Sequence, residues 1–107
     1  MFGIFKNRFA QENNSKLSEA IQNGGFLVDV RTPAEFSGGS AKGAVNIPLD
    51  KMGSQLEKFK GKKNIIVFCK SGGRSTQAKS ILEQNGFHNV INGNTWENVQ
   101  NIINSNR

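Results

Sequence analysis

Ile65-Ile66-Val67-Phe68-Cys69-Lys70-Ser71-Gly72-Gly73-Arg74-Ser75 is the stretch on which the reading of this chain turns. Its first five residues are continuously apolar, the pattern of a strand buried on both faces and hence of a parallel sheet. Paired glycines then break the run. From Arg74 to Asn85 the apolar residues Ala78, Ile81 and Leu82 fall on one helical face, and Gly86 stands just past the end. The only cysteine of the chain closes the strand. In an open α/β sheet, ligands bind at the carboxyl ends of the strands. A short loop entering a helix aims several backbone N–H groups at one point, and the helix dipole adds to their pull on an anion. Gly72 and Gly73 permit the backbone angles such a cradle needs.

With a thiol in that cradle, the thiolate is the anion. A free cysteine titrates near ~8.5, and a helix N-terminus with neighbouring cations brings it to roughly 3.5–7.5. Lys70 and Arg74 carry the required sign. Cys69 is therefore read as a nucleophile at neutral pH, with room beside it for an anionic group onto which Arg74 can fork two hydrogen bonds. A plainer reading makes Cys69 a small buried hydrophobe. That fits a cysteine ending a strand, but leaves the glycine pair, the arginine and the following helix without a task.

Outward from this centre, strands and helices alternate. Residues 1–14 have no clear period and are read as an N-terminal arm or tail, leaving 15–107 as the domain. Ser15 is a candidate cap for a first helix carrying Leu17, Ala20 and Ile21, ended by Gly24 and Gly25. Phe26-Leu27-Val28-Asp29-Val30 reads as a second buried strand, Thr32-Pro33 as the start of a turn or short helix through Phe36, and Ala44 to Ile47 as a short strand. Asp50 is a candidate cap for a segment bearing Met52, Leu56 and Phe59, weakened by Gly53. Asn89 to Ile91 is a further strand, and Thr95 caps a last helix with Trp96, Val99 and Ile103 facing inward. The fold class is α/β: a small, mostly parallel sheet of four to five strands with helices on both faces.

The composition agrees with one small domain. The chain has 107 residues, 36% of them hydrophobic and 21% charged, with a mean hydropathy of −0.49. Its longest apolar run, Ile65 to Cys69, is far below the ~18 residues of a membrane helix. Fourteen Lys and Arg against eight Asp and Glu give a net charge of +6. That excess suits anionic substrates or acidic partners. It comes without an arginine-rich arm or stacking aromatics, so no nucleic acid is expected. One cysteine and one histidine cannot make a structural zinc site, and no metal is expected. The apolar start Met1 to Phe5 is followed by Lys6 and is shorter than a secretory core of ~7–15 residues, so the expected compartment is the cytoplasm.

Two separated motifs resemble a known family. The first is Leu27-Val28-Asp29-Val30-Arg31-Thr32-Pro33-Ala34-Glu35-Phe36, continuing to Gly43-Ala44-Val45-Asn46-Ile47-Pro48. The second is the loop from Cys69 to Ser75 after Ile65 to Phe68, with Gly93-Asn94-Thr95-Trp96 as a weaker third feature. The chain resembles the single-domain rhodanese-like sulfurtransferases over residues 15 to 105. Ser40 departs from a histidine common in relatives, with little effect expected on chemistry. Asn94 stands where a second glycine is common, and the family's leading edge strand is not evident in residues 8–14.

The resemblance implies sulfur transfer through a Cys69 persulfide. A small anionic donor such as thiosulfate would supply the sulfur, and a thiol or protein would accept it. Residues Lys70, Ser71, Gly72, Gly73, Arg74 and Ser75 would bind the donor and the sulfur, with no cofactor. Asp29 and Arg31 are read as bracing the active-site loop, Asp29 finding its partner in Arg31, Arg74 or backbone N–H groups, and Glu35 as a structural partner for Arg31. His88 and Trp96 are read as a surface turn residue and a core residue. The alternative is a sulfur-relay module that exchanges persulfide with partner proteins and turns over thiosulfate poorly. Cysteine phosphatases and arsenate reductases resemble the loop but have five residues between cysteine and arginine, where this chain has four. A non-catalytic regulatory domain is disfavoured by the retained cysteine.

Overall fold

A computed structural model describes residues 15–106. The arm expected over residues 1–14, and any edge strand within it, lie outside the described residues. Helix α1 spans 15–22. Ser15, expected as its cap, is already helical. Gly24 ends the helix with φ 76°, a left-handed angle that costs glycine little. Strands β1 (Phe26–Asp29), β2 (Val45–Asn46), β3 (Ile65–Cys69) and β4 (Val90–Thr95) follow, with helices α2 (Pro33–Ser37), α3 (Gly73–Gln84) and α4 (Trp96–Ser105) between and after them.

Among the described residues the four strands form one sheet in the order β2-β1-β3-β4, and every pairing is parallel. Period-two alternation along β3 divides the core. Ile65, Val67 and Cys69 face Ala78 and Leu82 of α3 together with Met52 and Phe59. Ile66 and Phe68 face Leu17 and Ala20 of α1 and Val99 of α4. All five residues of β3 are buried, as a strand covered on both sides requires. The mixed α/β architecture with a parallel sheet is therefore the one the alternation of elements implies.

Three further details differ from the sequence reading. The helical segment bearing Met52 and Phe59 is two 3-10 helices, Leu49–Ser54 and Leu56–Phe59, rather than one α-helix. Pro48, not Asp50, holds the cap position there, and no side chain caps it. Strand β4 runs to Thr95, well past Ile91, because its register against β3 shifts: Asn92 pairs with Val67 and Asn94 with Phe68. Gly93 is the extra residue of this bulge.

Gly93 is also where β4 comes closest to its neighbours. A Cβ built there would lie 2.7 Å from Val99 Cγ2 and 3.3 Å from Ile66 Cγ2. Val99 is fully buried in α4, and a β-branched side chain in a helix has one good rotamer. Overpacking of this kind costs about 1–3 kcal/mol. Gly93→Ala is expected to lower unfolding stability by that amount in urea titration at an unchanged slope. A stability equal to wild type would mean that β4 shifts freely.

Candidate active site

Strand β3 delivers Cys69 to the C-terminal edge of the sheet, and α3 begins four residues later. Gly72 occupies the position before α3 with φ 98° and ψ −17°, a conformation that favours glycine. Its N–H donates to Cys69 Sγ at 3.0 Å. Its carbonyl accepts from Ser75 Oγ at 3.1 Å, from Thr76 Oγ1 at 2.8 Å and from the Thr76 N–H at 3.1 Å. These bonds close the loop into a ring around the sulfur. Ser75, fully buried, lies 3.6 Å from Sγ through its hydroxyl. The Asn94 carbonyl accepts from both Sγ, at 3.6 Å, and Ser75 Oγ, at 3.4 Å.

Burial pushes the Cys69 thiol up. The Ser75 N–H and hydroxyl, with the N–H groups of Gly72 and Ser71, pull harder the other way and hold it below its ordinary value. Hydrogen bonding to the charged form is what depresses an acid in a site closed to solvent. The sulfur itself is not exposed: Cys69 has 0% of its surface accessible. Lys70 and Ser71 project outward as exposed residues, and Lys70 makes no ion pair among the described residues.

Arg74, in the first turn of α3, does not pair with Asp29. Its Nη1 and Nη2 fork onto Glu35 Oε1 and Oε2 at 2.7 and 3.0 Å. Glu35 is thus not the partner of Arg31. It is fixed by the capping box of α2, where the Thr32 N–H and hydroxyl both donate to Oε1 at 3.1 Å and the Glu35 N–H donates back to Thr32 Oγ1. The Arg74 fork, first, and then the Thr32 N–H hold the Glu35 carboxyl down at about 2.

Asp29 is fully buried and saturated. It accepts from the Arg31 N–H, from Arg31 Nε and Nη2, the last at 2.7 Å, and from Ser40 Oγ at 2.7 Å. Arg31 Nη2 also donates to the Gly39 carbonyl, and its guanidinium lies 5.5 Å from the centre of the Trp96 ring. The pair braces the loop at Gly39 and Ser40. No hydrogen bond or ion pair among the described residues joins it to residues 70–75.

Sequence reading missed two contributors. Ser40, taken as a departure of little effect, supplies a hydrogen bond to a buried carboxylate. Asn94 has φ 68°, which is why glycine suits that position, and its carbonyl meets the sulfur. Beside Arg74 a cleft of about 320 Å³ is lined by Val30, Arg31, Thr32, Pro48, Leu49 and Asp50. No cluster of His, Cys, Asp and Glu among the described residues is placed to hold a metal ion, and no described helix is long and apolar enough to cross a membrane. His88 is exposed.

Comparison with known proteins agrees with this geometry. The sequence signature of the rhodanese-like domain matches residues 13–94. Over 67 residues the chain is 35% identical to a sulfurtransferase of Allochromatium vinosum, covering 63% of this chain and 63% of that protein. It is 32% identical over 74 residues to a thiosulfate sulfurtransferase of Escherichia coli, covering 67% and 71% respectively. A rhodanese from E. coli solved with anions has a TM-score of 0.62 and 32% identity, over 68% of this chain and 88% of that one. The chain spans between 52% and 63% of the length of the first curated relatives it matches.

Because the chain has a single cysteine, ultraviolet absorbance of the thiolate reports Cys69 alone. The folded protein is expected to ionise with a midpoint below the ordinary ~8.5, and Ser75→Ala to move that midpoint upward. An ordinary midpoint in wild type would contradict the hydrogen-bonded cradle. The Glu35 carboxyl is depressed when folded, so its contribution to stability is complete above the unfolded value of about 4.3. That contribution is lost as the pH falls through about 2. A carboxyl NMR titration of Glu35 with a midpoint near 4 would overturn the pairing.

Proposed function

The chain belongs to the rhodanese-like domain family, and from that premise we propose that it transfers sulfane sulfur through a persulfide on Cys69. The observation that carries the proposal is the ring of donors around Sγ, closed by the Gly72 N–H at 3.0 Å. A ring with four residues between cysteine and arginine suits a sulfur atom better than a tetrahedral oxyanion. The anions held by the similar E. coli rhodanese fit the same reading.

In the first step the Cys69 thiolate attacks the outer sulfur of thiosulfate. The Cys69–sulfur bond forms, the sulfur–sulfur bond of the donor breaks, and sulfite leaves with the bonding pair. The persulfide anion inherits the negative charge of the thiolate, so the N–H groups of Ser71, Gly72 and Ser75 stabilise reactant and product alike. In the second step a nucleophile such as cyanide or a thiol attacks the terminal sulfur, and the Cys69 thiolate leaves. Two-step covalent transfer of this kind gives ping-pong kinetics. Lys70, exposed beside the loop, steers anionic donors toward it. The chemistry needs a free thiol, which points to a reducing compartment, and we assign the cytoplasm.

A relay between proteins is the second reading. The net charge of +6 favours it, because acidic donor or acceptor proteins would dock on such a surface. The readings separate by rate: slow loading from thiosulfate with fast loading from a protein persulfide supports the relay.

Intact mass after incubation with thiosulfate and no reductant tests the persulfide. Wild type is expected to gain one sulfur atom and to lose it on adding cyanide, while Cys69→Ser gains nothing and keeps its circular dichroism spectrum. Sulfur gained by Cys69→Ser would sink the mechanism. No gain in wild type would remove thiosulfate as the donor.

A further inference from the structure

We propose that Glu35 sets the donor selectivity of this site by competing with the donor's anionic end for Arg74. The inference rests on the sulfurtransferase reading and goes on to assign a residue that tunes it.

Arg74 follows the sulfur loop directly, in the first turn of α3, and its fork is occupied. Each terminal nitrogen gives one N–H to an oxygen of Glu35. A sulfonate-like anion that takes this end of the fork must displace the carboxylate, and one at the Nε edge meets a guanidinium whose charge Glu35 already neutralises. The neighbouring arginine offers no substitute: Arg31 is 5% exposed and held by Asp29 and the Gly39 carbonyl. Lys70 provides a point charge without a fork.

Displacement is feasible because the pair is accessible. The Arg74 and Glu35 side chains are 35% and 31% exposed, so water and small anions reach the fork. The two partners differ in freedom. Glu35 is anchored by the Thr32 N–H and hydroxyl whichever way Arg74 points, whereas Arg74 has Glu35 as its ion-pair partner. Arg74 is therefore the arm that moves, and the cleft of about 320 Å³ that it shares with Thr32 and Leu49 gives it space to do so.

Competition of this form acts only on donors that recruit Arg74. A dianion such as thiosulfate must compete with Glu35 for Arg74, while an alkyl persulfide, which has no sulfonate end and carries its charge on the sulfur taken into the backbone ring, need not. Glu35 thus weakens use of the sulfonate-bearing donor relative to the persulfide.

Glu35→Gln is the informative substitution, because glutamine also completes a capping box and so keeps α2 while removing the charge. Thiosulfate binding, measured by calorimetry in a Cys69→Ser background where no transfer occurs, is expected to tighten roughly three- to tenfold with Glu35→Gln. In the protein with Cys69 intact, KM for thiosulfate is expected to fall in proportion, while KM for an alkyl persulfide stays unchanged. Adding Arg74→Ala to Glu35→Gln should abolish the gain. Unchanged or weaker thiosulfate binding overturns the competition, as does an equal change for both donors.

A second measurement leaves Glu35 in place. In Cys69→Ser, the guanidinium NMR resonances of Arg74 are expected to shift saturably with thiosulfate, and resonances that stay still overturn the proposal. If binding tightens as expected while wild type takes no sulfur from thiosulfate, the competition for Arg74 stands and the thiosulfate reading falls.

Discussion

Strand β3 is buried on both faces along its whole length, and that constraint organises the molecule. A strand in this position has no solvent to satisfy its side chains, so its residues are Ile, Ile, Val, Phe and Cys, and helices must cover it from both sides. Its flanking strands are fixed in register by the same burial, since a one-residue slip would exchange its two faces. At its carboxyl end the chain has to leave the sheet abruptly to start α3. The residue that ends the buried run is the one whose sulfur meets the turning backbone. The reactive position is a consequence of how the core ends.

The charges at this edge are largely neutralised before any ligand arrives. Asp29 and Arg31 close on each other with Ser40 and Gly39. Breaking a buried pair of this kind leaves one uncompensated charge and costs about 3–5 kcal/mol. Glu35 and Arg74 close on each other nearer the surface. The two pairs are alike in chemistry but differ in environment: one is buried, the other is open to water. The local field on an incoming anion therefore comes chiefly from oriented N–H groups and from Lys70, and less from the arginines than their number implies.

The strand–loop–helix unit around Cys69 was legible because three independent signals coincide there: a continuous apolar run, a glycine pair and a helical period. The Thr95 cap, and the start of a turn or short helix at Thr32-Pro33, were legible from the local sequence as well. What could not be read depends on residues far apart in sequence. Nothing local says that Arg74 reaches Glu35, 39 positions away, rather than Asp29. The polar run Asn92-Gly93-Asn94 looks like a turn and becomes strand only because β3 offers it a partner. Pro48 and Gly53 tighten the Met52–Phe59 segment into 3-10 turns, although its apolar spacing also fits a helix. Ser40 gave no signal because a serine in a glycine-rich loop is unremarkable until a buried carboxylate is placed beside it.

Cys69 is counted in the same packed cluster as Val30, Ile65, Val67 and Ala78. Protein interiors are packed as densely as organic crystals, so the side of the sulfur that faces α3 and the sheet has no room for another atom. The remaining side is lined by the Gly72 N–H, the Ser75 hydroxyl and the Asn94 carbonyl. An atom bonded to Sγ has to grow toward these polar groups, so the core restricts it by shape before any charge or hydrogen bond distinguishes it.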